Sequence, residues 1–260
     1  MKLRDSYKEN GYVIIENIIN TQDVKSIFDI FTKYLNSKKL ISFIPEDLND
    51  LLLHNNLIEL RKNNPSAFSM LYDSMQSNAA LMALTYSSKI DSVMKQLFDD
   101  PALSASGHMI RMDVPLDTRN TINWHQEIPY YPQNTDGNNA AVMWFPLNRH
   151  TEEHGPVIVA PGSHKLGLVK LEHIPASNLK SEQFIVPEEY RSKFTEFQVV
   201  IPVGDAVIFN MNLFHASGFN SSNQIRFSGT IRYHNMAAND WVPGLNYWKP
   251  SKNSDQIKGM

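Results

Sequence analysis

The chain has 260 residues, of which 42% are hydrophobic and 20% charged, with a formal charge of −3. That is enough apolar material for a sizeable core, and the scattered Lys and Arg leave no basic stripe for nucleic acid or anionic lipid. Cysteine is absent, which excludes disulfides, thiolate metal sites and thiol nucleophiles and leaves His and carboxylate as the metal donors. No run is long enough to cross a bilayer, and residues 1–8 lack the apolar centre of a signal peptide, so a soluble cytoplasmic protein is expected. The length suits one domain with a helical elaboration.

In chain order, Tyr12-Val13-Ile14-Ile15 is a short β-rich run after Asn10-Gly11. Thr21 then stands where an N-cap would open a helix through Val24, Ile27, Phe28, Ile30, Phe31 and Leu35, whose spacing is helical. Residues 38–65 read as irregular and partly helical. Pro65 opens a long apolar-periodic stretch through Leu71, Met75 and Leu81, and 88–97 carries another. From Leu103 onward, clusters of Gly, Pro, Asn and Asp punctuate short Val-, Ile- and Phe-rich runs, the pattern of a β-sandwich or barrel. Strands are expected at 104–113, 121–127, 140–148, 156–160, 197–201, 206–210 and 225–234. Residues 129–138 must be a loop, 166–195 is a long insertion with few strand signals, and 249–260 looks frayed.

Among nine histidines, one pair stands out. Trp124-His125-Gln126-Glu127 puts His125 and Glu127 two apart on an expected strand, so both side chains leave one face and can converge on an ion. His215, just beyond the strand at 206–210, is placed to supply a third donor. Two imidazoles and a carboxylate on one face of an ion leave positions open, as non-haem Fe(II) requires. The tripeptide alone is weak, since a strand histidine is more often a hydrogen-bonded core residue than a ligand. In the strand after His215, Ile225, Phe227, Ile231 and Tyr233 share one face, and Arg226, Ser228, Thr230 and Arg232 share the other. If the polar face points inward, Arg226 is a buried guanidinium in need of an anion, which a bound carboxylate would supply. If it points outward, Arg226 is simply solvated.

These residues resemble the phytanoyl-CoA dioxygenase family of Fe(II)- and 2-oxoglutarate-dependent oxygenases. The likeness rests on Tyr7-Lys8-Glu9-Asn10-Gly11-Tyr12-Val13-Ile14, on the Trp124-His125-Gln126-Glu127 motif, on the run from Gly155 through Pro161-Gly162-Ser163-His164-Lys165, and on the block from His215 to Arg226. The resemblance implies that His125, Glu127 and His215 bind iron, that Arg226 holds the distal carboxylate of 2-oxoglutarate, and that Ser217, Gln126 and Trp144 lie near this co-substrate. One departure is visible: the family usually carries Asp where this chain has Glu127, and the extra methylene moves the carboxylate outward by about one carbon–carbon bond, in a site whose geometry must hold to ~0.5 Å.

Other residues carry less. Tyr130 and Tyr131 follow the metal motif, and Arg111, with His108 and Asp113, lies on the strand before it; these are placed to reach substrate or to pack. His150 and His154 fall in a loop and read as a solvated polar turn. Ser163 beside His164 has no elbow motif around it and reads as a turn. The expectation is therefore an α+β protein, a cupin-like double-stranded β-helix (jelly roll) with N-terminal helices packed on one face. One oxygenase domain would span 1–260, with 1–100 mainly helical, 101–248 the jelly-roll core and 249–260 a flexible tail. It would use Fe(II), 2-oxoglutarate and O2 to hydroxylate a C–H bond of a small metabolite, with succinate and CO2 as co-products. Two alternatives remain at this point, a cupin-like Zn or Mn hydrolase or isomerase on the same ligands, and a non-catalytic binding module with a degenerate iron site. The mixed charges of 166–195 do not favour an acyl-CoA, and oligomeric state is not legible.

Overall fold

The computed structural model describes residues 3–119, 121–176 and 182–243; the expected tail at 249–260 lies outside them. In chain order the elements are α1 (Leu3–Asn10), β1 (Tyr12–Ile15), α2 (Thr21–Ser37), α3 (Leu51–Asn63), α4 (Pro65–Met75), α5 (Ala79–Leu84), α6 (Ser88–Phe98), β2 (Leu103–Asp113), β3 (Ala140–Pro146), β4 (Val157–Val159), β5 (Glu172–Ile174), β6 (Gln183–Ile185), α7 (Glu188–Arg191), β7 (Phe197–Gln198), β8 (Ala206–Asn210), β9 (His215–Ser217) and β10 (Arg226–Asn235). An antiparallel sheet of order β1-β8-β3-β10-β2 faces a smaller antiparallel sheet of order β7-β4-β9, and β5 pairs with β6. This is a jelly roll with helices on one face.

The period-2 pattern of the strands decides what meets what. Met143 and Phe145 of β3, Ile208 of β8, and Phe227, Ile231 and Tyr233 of β10 point to the helices and join Phe31, Leu71 and Met94 in one apolar cluster. Phe31 and Phe227 meet edge to face at 5.8 Å. On the opposite face Val142, Trp144, Val207 and Phe209 meet Val157 and Val159 of the small sheet. Covered on both faces, β3 is buried throughout and reads as an unbroken apolar run. The polar face of β10 points between the sheets, and Arg226, Ser228, Thr230 and Arg232 are all buried.

Several sequence expectations change. The stretch from Pro65 to Leu81 is two helices, because α4 stops at Met75 and Asn78 opens α5 by accepting from Ala80 N and Leu81 N. Between them the Gln76 amide donates to the Ile110 carbonyl at 2.9 Å and accepts from the Ile110 N–H at 3.1 Å, and so pairs with the outer edge of β2 as a short strand would. Asn20 holds the N-cap position of α2 without a side-chain capping bond, and Thr21 is already inside the helix. Helix α1 and the β5–β6 pair are not anticipated from the sequence, since α1 is short with few apolar residues and β5 and β6 have three residues each. The expected strand at 121–127 is reduced to a single bridge between His125 and His215, because its partner β9 is only three residues long.

Asn78 ties two helices together: its side chain caps α5 and donates to the Ile27 carbonyl of α2 at 3.2 Å, fully buried. Asn78→Ala removes the cap and one buried interhelical hydrogen bond, and urea unfolding is expected to show a loss of about 1–2 kcal/mol.

Candidate metal centre

Residues 124–127 run beside β9, bending at Trp124 and Glu127. His125 exchanges backbone hydrogen bonds with His215 at 2.9 and 3.1 Å, and the Glu127 N–H donates to Met211 O at 2.9 Å. Those bonds keep the alternation of a strand for two residues, enough to send His125 and Glu127 to the side where His215 opens β9. All three side chains are buried. The Nδ1 of His125 lies 2.7 Å from Asn123 O and that of His215 lies 2.9 Å from Leu213 O. A carbonyl can only accept, so each Nδ1 carries a proton, and in the neutral ring Nε2 then turns a lone pair inward.

Glu127 Oε2 lies 3.2 Å from His215 Nε2 and 3.5 Å from His125 Nε2, and one ligand atom from each residue falls within 4.8 Å of the others. Lone pairs gathered this closely repel unless a cation sits among them. Burial and the neighbouring His215 push the His125 ring below its ordinary range, so a proton is a poor occupant. Burial opposes charge on Glu127, but the Arg232 guanidinium beside it holds its carboxyl well below the usual carboxylate range. Two neutral imidazoles and one carboxylate fit Fe(II). Among the described residues this is the one cluster of three His, Asp or Glu side chains with that geometry.

The cluster lines a narrow cavity of about 50 Å³ together with Arg111, Trp144, Ser217, Arg226, Thr230 and Arg232. Arg226 donates from Nε and Nη2 to Asp113 Oδ2 at 3.2 and 2.7 Å, and from Nη1 to the carbonyls of His154 and Gly218 at 3.1 and 3.3 Å. Arg111 approaches the same carboxylate, Nη2 to Oδ1 at 3.0 Å and Nε to Oδ2 at 3.3 Å. Burial alone would raise the Asp113 carboxyl; the two guanidinium charges hold it far below the usual range. The carbonyls that receive Arg226 come from two chain segments in very close approach. A Cβ at Gly155, where φ is +62°, would lie 2.4 Å from Phe219 O, and one at Gly218 would lie 2.6 Å from the Gly155 backbone.

The structure thus gathers His125, Glu127, His215, Arg226, Ser217, Trp144 and Arg111 around one cavity. Gln126 points away from it, as strand alternation requires. Its amide donates to Gly167 O and Asn212 O, both at 2.7 Å, and accepts from Val169 N, fastening the start of the 166–195 insertion. Tyr130 sits behind His125, its ring edge-on at 5.8 Å and its hydroxyl accepting from Phe184 N. Tyr131 lies beneath Arg232, 4.6 Å from ring centroid to guanidinium carbon. His150 and His154 are buried rather than solvated; His154 closes a turn against Thr151. Ser163 accepts from Phe214 N while His164 contacts Lys8 O, so the two form no dyad. Sequence reasoning missed Asp113 as the partner of Arg226 and Arg232 as the partner of Glu127. The usable signal was charge: Arg226 and Arg232 share an inward face, and each needs an anion there.

A family model described as phytanoyl-CoA dioxygenase matches residues 7–228. The chain belongs to the phytanoyl-CoA dioxygenase family. Within curated relatives, a probable phytanoyl-CoA dioxygenase of Caenorhabditis elegans is 21% identical over 236 residues, covering 89% of this chain and 74% of the nematode protein. An L-proline trans-4-hydroxylase of Streptomyces griseoviridis is 27% identical over 131 residues, 44% of this chain and 48% of that protein. The fold matches the solved structure of a non-heme monooxygenase, ThoJ in its apo form, with a TM-score of 0.62 at 18% identity, covering 91% of this chain and 78% of that one. Glu127 turns one carboxylate oxygen toward both histidines.

Three further buried histidines set a pH dependence. Burial lowers His54 and His234 to about 4, and burial with the Arg226 charge lowers His150 to about 3, from an ordinary 6.5. The folded protein holds them neutral, so between pH 6.5 and about 4 the unfolded chain binds more protons and stability falls as pH falls. Scanning calorimetry across pH is expected to show the melting temperature dropping from about pH 6.5 downward; a loss confined to below pH 4 would contradict the neutral, buried state of these rings.

Proposed function

We propose that the chain hydroxylates a C–H bond of a small metabolite as an Fe(II)- and 2-oxoglutarate-dependent oxygenase, working as one domain. The observation that carries this is the convergence of the His125 and His215 Nε2 lone pairs on Glu127 Oε2 beside a buried arginine pair. His125, Glu127 and His215 would hold the iron. When bound, iron and 2-oxoglutarate supply the coupling of O2 reduction and co-substrate decarboxylation to C–H hydroxylation, with succinate and CO2 released.

The protein's own part is to bind, orient and keep water out. Four of the five N–H groups of Arg226 are engaged by Asp113, His154 and Gly218, leaving one on Nη2 for an incoming carboxylate. Ser217 and Thr230 hydroxyls line the same cavity and complete that seat, Thr230 Oγ1 already accepting from Arg232 and so keeping its proton to donate. Trp144, Val142, Val157 and Phe209 form the apolar wall that limits water around the reacting groups. The mixed charges of the 166–195 insertion support a small metabolite over an acyl-CoA. No described helix is long and apolar enough to cross a membrane, and a cytoplasmic setting, which keeps iron ferrous, suits this chemistry.

Anaerobic titration with Fe(II) and then 2-oxoglutarate tests the reading. A visible charge-transfer band is expected as the keto acid chelates the iron, with 2-oxoglutarate affinity at least about tenfold weaker in Arg226→Ala. A protein that binds metal but shows no band would be a metal enzyme of another kind; one that binds no metal would be a binding module.

A further inference from the structure

A glutamate has one more rotatable bond than an aspartate, so Glu127 needs a brace if a single oxygen is to face both imidazoles. Arg232 is that brace. Its Nε and Nη2 both reach Glu127 Oε1, at 2.8 and 2.7 Å, and this leaves Oε2 turned toward His215 and His125. The guanidinium is itself seated on three sides. Nη1 donates to Gly107 O at 2.6 Å and to Thr230 Oγ1 at 2.9 Å, and the Tyr131 ring lies against its face.

The seat depends on an irregularity in β2. The pairing of β10 with β2 shifts between Thr230, opposite Met109, and Arg232, opposite Ser106. Gly107 lies in that bulge at φ +52°, and a Cβ there would stand 2.5 Å from the Tyr131 ring. A bulge in this position turns the Gly107 carbonyl toward Arg232 and admits Tyr131 beneath it. Nothing in a regular ladder would present both.

We propose that Arg232 is the positioning residue that makes Glu127 a one-oxygen ligand, and that the Gly107, Thr230 and Tyr131 seat holds the guanidinium where a carboxylate of glutamate length, not of aspartate length, meets it. This rests on the metal-centre reading above. It predicts that the arginine and the length of the carboxylate act as one unit.

The test is anaerobic calorimetric titration with Co(II), together with its visible spectrum, on the full-length protein and on Arg232→Gln, Arg232→Lys, Glu127→Asp and the Glu127→Asp/Arg232→Gln double variant. Arg232→Gln is expected to weaken Co(II) binding by about 10–100-fold and to alter the intensity of the Co(II) bands. Arg232→Lys, which keeps the charge but not the fork, should recover part of the affinity and serves if the Gln variant does not fold. The double variant should lose less than the product of the two single losses. Unchanged affinity and spectrum in Arg232→Gln and Arg232→Lys, or losses that simply multiply, would overturn the inference while leaving the metal centre standing. A parent protein that takes up no Co(II) would overturn the metal centre and the inference with it.

Discussion

Moving a guanidinium from water into a protein interior costs several kcal/mol unless anions and carbonyls meet it, and three lie between the two sheets of this jelly roll. Asp113 serves Arg111 and Arg226, and Glu127 serves Arg232. Much of the local architecture follows from meeting that cost. The close contact of Gly155 with Gly218 delivers two carbonyls to Arg226, and the bulge at Gly107 delivers one to Arg232. The positive charges hold both carboxylates ionised in a place where burial would otherwise protonate them. An ionised Glu127 is in turn what makes the two histidines a donor set rather than a stacked pair.

Strand β10 performs both tasks of the fold at once. Its apolar residues anchor the sheet on the helical layer, and its polar residues carry the charge into the cavity. A one-residue slip would exchange the two faces and lose both. The neighbours of β10 make such a slip costly: it is paired along its length by β2 and β3, and β2 is fastened on its far side by the Gln76 amide.

The alternation of apolar and polar residues in 225–234 made this strand legible, because its period is independent of what surrounds it. The same holds for α2 and α6, whose apolar spacing matches the residues they bury. What alternation cannot supply is direction: whether Arg226 faced water or the interior depended on β10 lying between β2 and β3, a fact of long-range pairing. The His125 and Glu127 pair was legible for a related reason, since a two-residue spacing in extended chain serves as well in a single bridge as in a full strand. Gln126 was assigned to the co-substrate by resemblance, yet the same alternation sends it to the other side. Asp113 and Arg232 escaped because the identity of an ion-pair partner is decided by register, here across 113 and 105 residues of chain.

The ligands of the centre come from distant segments, Glu127 and His215 being 88 residues apart. In a chain without cysteine, an ion held by both would be the nearest equivalent to a covalent staple. When bound it would tie the loop after β2 to the strand β9 of the small sheet and favour the folded state by binding it alone. A metal held there would therefore fasten the 124–127 segment to β9 as well as serve the chemistry, and metal supply would become a determinant of stability.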